Sequence, residues 1–222
     1  MNHINNLFKK NDIKSASSEA YRILRANLYF TSTDKKIKTV LITSPDVGEG
    51  KTTTAANLAI VLAHAGNKTV FLGADLRRPK EVSLFELKSS LGLTQVISEK
   101  LPYDTAIFAC EDVENLFIFP AGRIPPNPSE ILQSKSMKDI IEQLRRDYDY
   151  IIIDAPPVNL VSDAVILAGL VDGVILVVAE NETKKDIAKR SVKLLKKIGA
   201  NILGVVITKV KNKKIQNYYQ KY

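Results

Sequence analysis

Apolar, β-branched runs recur along the chain: IKTVLITS from residue 37, KTVFLGAD from 68, YDYIIIDAPP from 148, DGVILVVAE from 172 and ANILGVVITKV from 200. Such runs show little polar alternation, so a strand made from one wants cover on both faces. Between them lie stretches of helical periodicity, and strands alternating with helices specify βα units around a mostly parallel sheet. The expected fold is therefore α/β, a mostly parallel sheet with helices on both faces. No repeat or Pro/Gly-rich linker divides the 222 residues, which predicts one domain over 1–222 with a loose segment at 1–14 and a flexible tail at about 209–222.

The helices read as follows. Ser15 to Ser18 offer N-cap oxygens for a helix reaching about Phe30, with Ala20, Ile23, Leu24, Asn27 and Leu28 as its inward stripe. TTTAANLAIVLAHAG is ended by Gly66, EILQSKSMKDIIEQLRRD reads as one long helix, a short helix spans 162–170, and TKKDIAKRSVKLLKKIG precedes the last strand. NLFIFPAG is a further short strand, whereas 80–115 has no clear period.

At 45% hydrophobic and 25% charged the chain can build a core, and its formal charge of +8 invites an anionic partner: a nucleotide, nucleic acid, an acidic membrane face or an acidic protein. Cys110 is alone, which excludes an intrachain disulfide, and His3 and His64 stand too far apart for a histidine metal site. The opening MNHINNLFKKND lacks the apolar centre of a signal peptide, and no run approaches the roughly 20 apolar residues of a bilayer span. A soluble intracellular domain is expected.

The strongest chemical signal is the segment Ser44-Pro45-Asp46-Val47-Gly48-Glu49-Gly50-Lys51-Thr52, set between a buried strand and a helix. Gly48 and Gly50 let backbone N–H groups converge on phosphate oxygens, and the helix that follows points its positive end at the same place. Lys51 can reach the β- and γ-phosphates and the Thr52 hydroxyl can ligate Mg²⁺. The nucleotide-binding set is Asp46, Val47, Gly48, Glu49, Gly50, Lys51, Thr52 and Thr53. The strand at 150–154 delivers Asp154 at its carboxyl end, where ligands collect in open α/β sheets. Another buried strand, running from Val70, ends in Asp75 and is followed by Arg77 and Arg78. Asp154 would act on a metal, Asp75 could share it, and either arginine could face phosphate or acceptor.

Together these segments resemble the catalytic domain of the bacterial P-loop tyrosine kinases that regulate capsule and exopolysaccharide synthesis. The resemblance rests on Glu19, Arg22 and Arg25 (E-x2-R-x2-R), the loop ending in Lys51-Thr52, Asp75-Leu76-Arg77-Arg78-Pro79, Gly122-Arg123-Ile124-Pro125-Pro126-Asn127-Pro128-Ser129-Glu130, the Asp154 strand and a tail with Tyr218, Tyr219 and Tyr222. It implies a P-loop NTPase fold close to the septum-site and partition ATPases, with ATP and Mg²⁺ as cofactors. Lys51, Asp75 and Asp154 would be catalytic, and Thr52, Asp75 and Asp154 would hold the metal. The tail tyrosines would be autophosphorylated in trans, since a tail leaving the last strand is expected to fall short of its own site. Glu19, Arg22 and Arg25 would contact a neighbouring subunit of a homo-oligomer.

The resemblance also implies a separate membrane adaptor of the polysaccharide chain-length type as activator, tyrosine-bearing protein substrates, and no specific nucleic acid. Localisation would be cytoplasmic, peripheral at the inner face of the plasma membrane. Two departures bear on activity. Asp46 stands where partition ATPases carry a signature lysine, which favours the kinases over a partition or septum ATPase switch. Gly73 replaces the first carboxylate of the family's Asp-x-Asp. That loss leaves a weakened nucleotide-binding scaffold as the other alternative, and Gly73→Asp is expected to raise the rate.

Overall fold

The structure is a computed structural model that describes residues 16–31, 37–88 and 91–210. A sheet of seven strands runs through it in the order β3-β4-β2-β5-β1-β6-β7. The strands are β1 (Thr39–Thr43), β2 (Thr69–Gly73), β3 (Phe108–Ala109), β4 (Leu116–Phe119), β5 (Tyr150–Asp154), β6 (Gly173–Ala179) and β7 (Ile202–Thr208). All neighbours pair in parallel except the short β3, which lies antiparallel on β4.

Side-chain alternation divides the central strands between two cores. Leu41, Val70, Leu72, Ile151 and Ile153 face one set of helices: α4 (Leu93–Ser98), α5 (Pro128–Gln133), α6 (Lys135–Asp147), α7 (Asp163–Ala168) and α8 (Lys185–Lys197). Val40, Ile42, Phe71 and Ile152 face the other set: α1 (Ala16–Thr31), α2 (Lys51–Ala63) and α3 (Glu81–Leu84). The expected two-faced parallel sheet is what forms. In α2 every residue from Thr54 to Ala63 is buried, because the helix is sandwiched between the sheet and α1. Each fully buried Leu or Ile there contributes about 1.5–3 kcal/mol.

Three elements differ from expectation. The long helix predicted over 130–147 is broken at Ser134, whose backbone is extended and whose Oγ accepts from the Met137 amide at 3.1 Å; this local cap starts α6 afresh. The stretch 80–115 condenses into α3, α4, a single 3₁₀ turn at Tyr103–Ala106 and β3, each too short to show a period. In α1 the inward face is Ser18, Tyr21, Leu24 and Leu28, while Ala20, Ile23 and Asn27 of the expected stripe are exposed. Tyr29 and Phe30 are also exposed, each at 69%. The loose 1–14 segment and the tail from 211 onward lie outside the described residues.

Candidate active site

Strand register assembles the site. Ile42 of β1 and Gly73 of β2 both sit beside Asp154 of β5, so the three strands end level at their carboxyl edge. The loop after β1 therefore opens directly beside Asp154. Gly48 and Gly50 take φ of 75° and 92°, a left-handed backbone that a side chain would strain. Gly50 then caps α2, so the first amides of that helix face the loop.

The loop is fastened from several sides. The Ser44 hydroxyl donates to the Asp46 carbonyl (2.6 Å), and the Asp46 amide donates to Glu49 Oε2 (2.8 Å). The other Glu49 oxygen accepts from the Thr183 hydroxyl, and Thr208, at the end of β7, donates its hydroxyl to the Glu49 carbonyl at 2.7 Å. Glu49, expected only to line the nucleotide, thus organises the loop as a buried internal acceptor. Thr183 and Thr208 escaped the sequence reading. Their signal was positional, since both follow strands at the carboxyl edge, where α/β sheets build their sites.

Lys51 lies at the centre. Its ammonium donates to Asp75 Oδ2 at 2.9 Å, to the Thr52 hydroxyl at 3.4 Å and to Asp154 Oδ1 at 3.5 Å. Burial alone would lower the Lys51 pKa, but Asp154 and Asp75 outweigh it and leave the ammonium above the ordinary lysine value. Burial pushes the Asp154 carboxyl up to about 6; Lys51 and a Thr52 hydrogen bond pull it back, while Asp75 and Glu81 add repulsion. The expected catalytic residues Lys51, Asp75 and Asp154, and the expected metal residues Thr52, Asp75 and Asp154, therefore fall in one cluster. Its donors are two carboxylates and a hydroxyl, all hard oxygens, and one lysine leaves it a net negative charge. That set suits Mg²⁺, which is held by one or two carboxylates together with substrate phosphates instead of an all-protein cage.

The arginines divide their work. Arg78 contributes its backbone amide to Asp75 Oδ1 at 3.1 Å. The Arg77 guanidinium, expected to be free for phosphate or acceptor, is instead held bidentately by the fully buried Asp163 at 2.8 and 3.1 Å, with Ser129 at 3.1 Å. It ties the β2 end to the starts of α5 and α7. The space beside Gly73 is also occupied: a Cβ there would lie 2.5 Å from Glu81 Oε1, so an Asp side chain at 73 requires Glu81 to shift.

Of the expected subunit-contact residues, Arg22 pairs with Glu19 at 3.1 Å within α1, and Arg25 donates to the Val61 carbonyl of α2 at 3.1 Å. Tyr218, Tyr219 and Tyr222 lie outside the described residues. The root of their tail is described, and through Thr208 it touches the chain's own phosphate loop.

Comparison with known proteins places this geometry. A family model described as "ParA: NUBPL iron-transfer P-loop NTPase" matches residues 36–217. Tyrosine-protein kinase YwqD of Bacillus subtilis (strain 168) is 39% identical over 213 residues, covering 96% of this chain and 90% of its own. Putative tyrosine-protein kinase CapB of Staphylococcus aureus is 37% identical over 219 residues, covering 99% and 96%. The crystal structure of the chimerical protein CapA2B2 superposes with a TM-score of 0.89 at 34% identity, over 96% of this chain and 93% of that one. With the glycine loop, its lysine, Asp75 and Asp154 gathered at the carboxyl edge of the sheet, the chain belongs to the bacterial tyrosine-protein kinases built on the ParA-type P-loop NTPase fold.

Proposed function

We propose that the chain transfers the terminal phosphoryl group of ATP to tyrosine hydroxyls, including Tyr218, Tyr219 and Tyr222 on a neighbouring copy, and so regulates capsular or extracellular polysaccharide synthesis. The observation that carries this reading is the Lys51 ammonium lying between Asp75 and Asp154 at the mouth of the glycine loop, in a chain whose relatives are named tyrosine kinases.

Amides from Gly48 to Thr53 and the N-terminal end of α2 would bind the phosphates, while the Asp46 and Val47 amides, expected in that set, are engaged by the Glu49 and Asp46 carboxylates. Thr52, Asp75 and Asp154 would hold Mg²⁺, which when bound supplies positive charge against the phosphoryl oxygens. Lys51 keeps its charge in this cluster and stabilises the negative charge that shifts onto the departing ADP. The bond from tyrosine oxygen to phosphorus forms as the bond from phosphorus to the bridging oxygen breaks. ADP leaves with that electron pair, and the hydroxyl proton passes to solvent. Because the transition state is loose, positioning and charge account for most of the rate.

Glu19 and Arg22 on the outer side of α1 are the proposed subunit contact. The proposed activator is a membrane adaptor of the polysaccharide chain-length type, which would hold the kinase at the inner face of the plasma membrane; among the described residues no helix is long and apolar enough to cross one. The basic tail, with lysines at 209, 211, 213, 214 and 221, would favour that anionic surface.

Incubation with Mg-ATP, of the chain and of a variant with Tyr218, Tyr219 and Tyr222 changed to Phe, tests the reading when phosphotyrosine and free phosphate are followed together. Phosphotyrosine on the first protein and not the second is expected. Phosphate release without phosphotyrosine would mark an ATPase switch. Nucleotide binding with neither product would mark a scaffold.

A further inference from the structure

We propose that Glu81, at the first position of α3, supplies the carboxylate that position 73 lacks and acts as a positioning residue for the cation-binding end of the site. The proposal rests on the kinase reading above and deepens it.

Gly73 is the last residue of β2 and the register partner of Asp154, and the Ala74 amide donates to the Asp154 carbonyl at 2.8 Å. A side chain on residue 73 would therefore start beside the buried aspartate. Glu81 fills that volume: the ideal Cβ position on Gly73 lies 2.5 Å from Glu81 Oε1 and 2.6 Å from its Cδ. The backbone of Gly73 does not take the left-handed conformation that reserves a site for glycine, so what crowds a side chain there is first the Glu81 carboxylate and then the Ala121 amide nitrogen at 3.0 Å.

Glu81 is only 1% exposed, and both its oxygens are fixed by backbone amides, Oε1 by Ala121 and Oε2 by Lys80 at 2.8 Å. One carboxylate thus ties the loop after β4 to the start of α3 and places a negative charge beside Asp154. Removing an outer-shell group that positions metal ligands typically changes metal affinity by about 10–100-fold. A residue that serves only as packing would act through volume and the two hydrogen bonds alone.

Four variants separate charge from packing: Gly73→Asp, Glu81→Ala, the double variant Gly73→Asp/Glu81→Ala and its uncharged counterpart Gly73→Asn/Glu81→Ala. Each is scored by thermal melting and by the Mg²⁺ concentration that half-saturates binding of a fluorescent ATP analogue, with phosphotyrosine as a third measurement. Gly73→Asp alone should melt lower than the parent, because two carboxylates compete for one volume. Glu81→Ala should raise the Mg²⁺ requirement about tenfold. Gly73→Asp/Glu81→Ala should return it to within about threefold of the parent (our margin, set below the tenfold loss), while Gly73→Asn/Glu81→Ala recovers melting but not the Mg²⁺ requirement. An unchanged requirement in Glu81→Ala, or equal requirements in the two double variants, overturns the proposal while leaving the kinase reading intact. Absence of nucleotide binding by the unmodified chain overturns both.

Discussion

At Lys51 one ammonium faces two carboxylates, so Lys51→Met does two separable things. It removes the charge that stabilises phosphoryl transfer, and phosphotyrosine on the tail should fall to background. It also strips Asp75 and Asp154 of the cation that both contact. Breaking a buried pair from one side costs about 3–5 kcal/mol, so the variant should unfold earlier in urea at pH 8 than the parent. The sign with pH follows from the group left behind: a buried carboxylate without its lysine has a raised pKa, so protonation relieves it and stability returns as pH falls. Urea midpoints of the two proteins should therefore converge between pH 8 and pH 5.5. Midpoints that stay equally far apart would mean that the loss comes from packing of the lysine stem. Glu49 acts at the same scale through its hydrogen bonds to Asp46 and Thr183, and Thr208→Val, which deletes one hydroxyl from the Glu49 carbonyl, should weaken nucleotide binding while leaving the fold in place. A tighter-binding variant would show that this bond restrains the loop unproductively.

Two elements are held by contacts that invite direct measurement. Asp172, just before β6, accepts from the Lys38 and Thr39 amides at 2.8 Å each and from Arg145 of α6 at 2.9 and 3.1 Å, closing the amino-end edge of the sheet opposite the active site. Burial would raise its carboxyl pKa, but Arg145 first and then the amides of Thr39 and Lys38 outweigh that and hold it below the ordinary carboxylate value. A depressed pKa contributes stability above the unfolded value near 4, and that contribution disappears as pH falls through the folded value. Asp172→Asn should therefore be less stable than the parent at pH 7 by about 1–3 kcal/mol, with the gap narrowing below pH 4 in chemical denaturation. A gap independent of pH would assign the effect to geometry alone. In α1, Arg25 anchors the helix to α2, so a clean test of subunit contact spares it. Glu19→Ala/Arg22→Ala should move the mass in light scattering toward monomer while changing stability by only a few tenths of a kcal/mol, the value of a half-buried intrahelical pair. Unchanged mass would leave the pair as helix surface.

The elements readable from sequence were those with local causes. The five central and edge strands β1, β2, β5, β6 and β7 declared themselves through β-branched runs, and the phosphate loop through Gly48, Gly50 and the helix behind them. The break at Ser134 escaped because one hydroxyl capping the next turn interrupts a period that otherwise continues. Glu81 and Arg77 escaped for a different reason. Each is polar in sequence, and its burial or pairing depends on Ala121 or Asp163, residues brought near only by the finished sheet.

For the molecule as a whole, the decisive question is where the acceptor comes from, and kinetic order answers it. If tyrosines are phosphorylated between copies, mixing a Lys51→Met chain with a catalytically intact chain lacking Tyr218, Tyr219 and Tyr222 should label the Lys51→Met chain. The initial rate should also fall on dilution of the mixture. Label absent from the mixture, with the parent still labelled at a rate per molecule unaffected by dilution, would establish transfer within one chain. The hydroxyl of Thr208 on the Glu49 carbonyl gives this contest a scale. Tyr218 follows Thr208 by ten residues, so the covalent chain confines it to about 35 Å from the loop at full stretch. Confinement of that order corresponds to a local concentration on the order of millimolar. Were the tail to enter its own site, any other tyrosine-bearing acceptor would meet a rival at that concentration, and the tail would act as a built-in competitive substrate. Phosphorylation of the tail would then remove that competition, and access for other acceptors would rise in step with the modification of the tail.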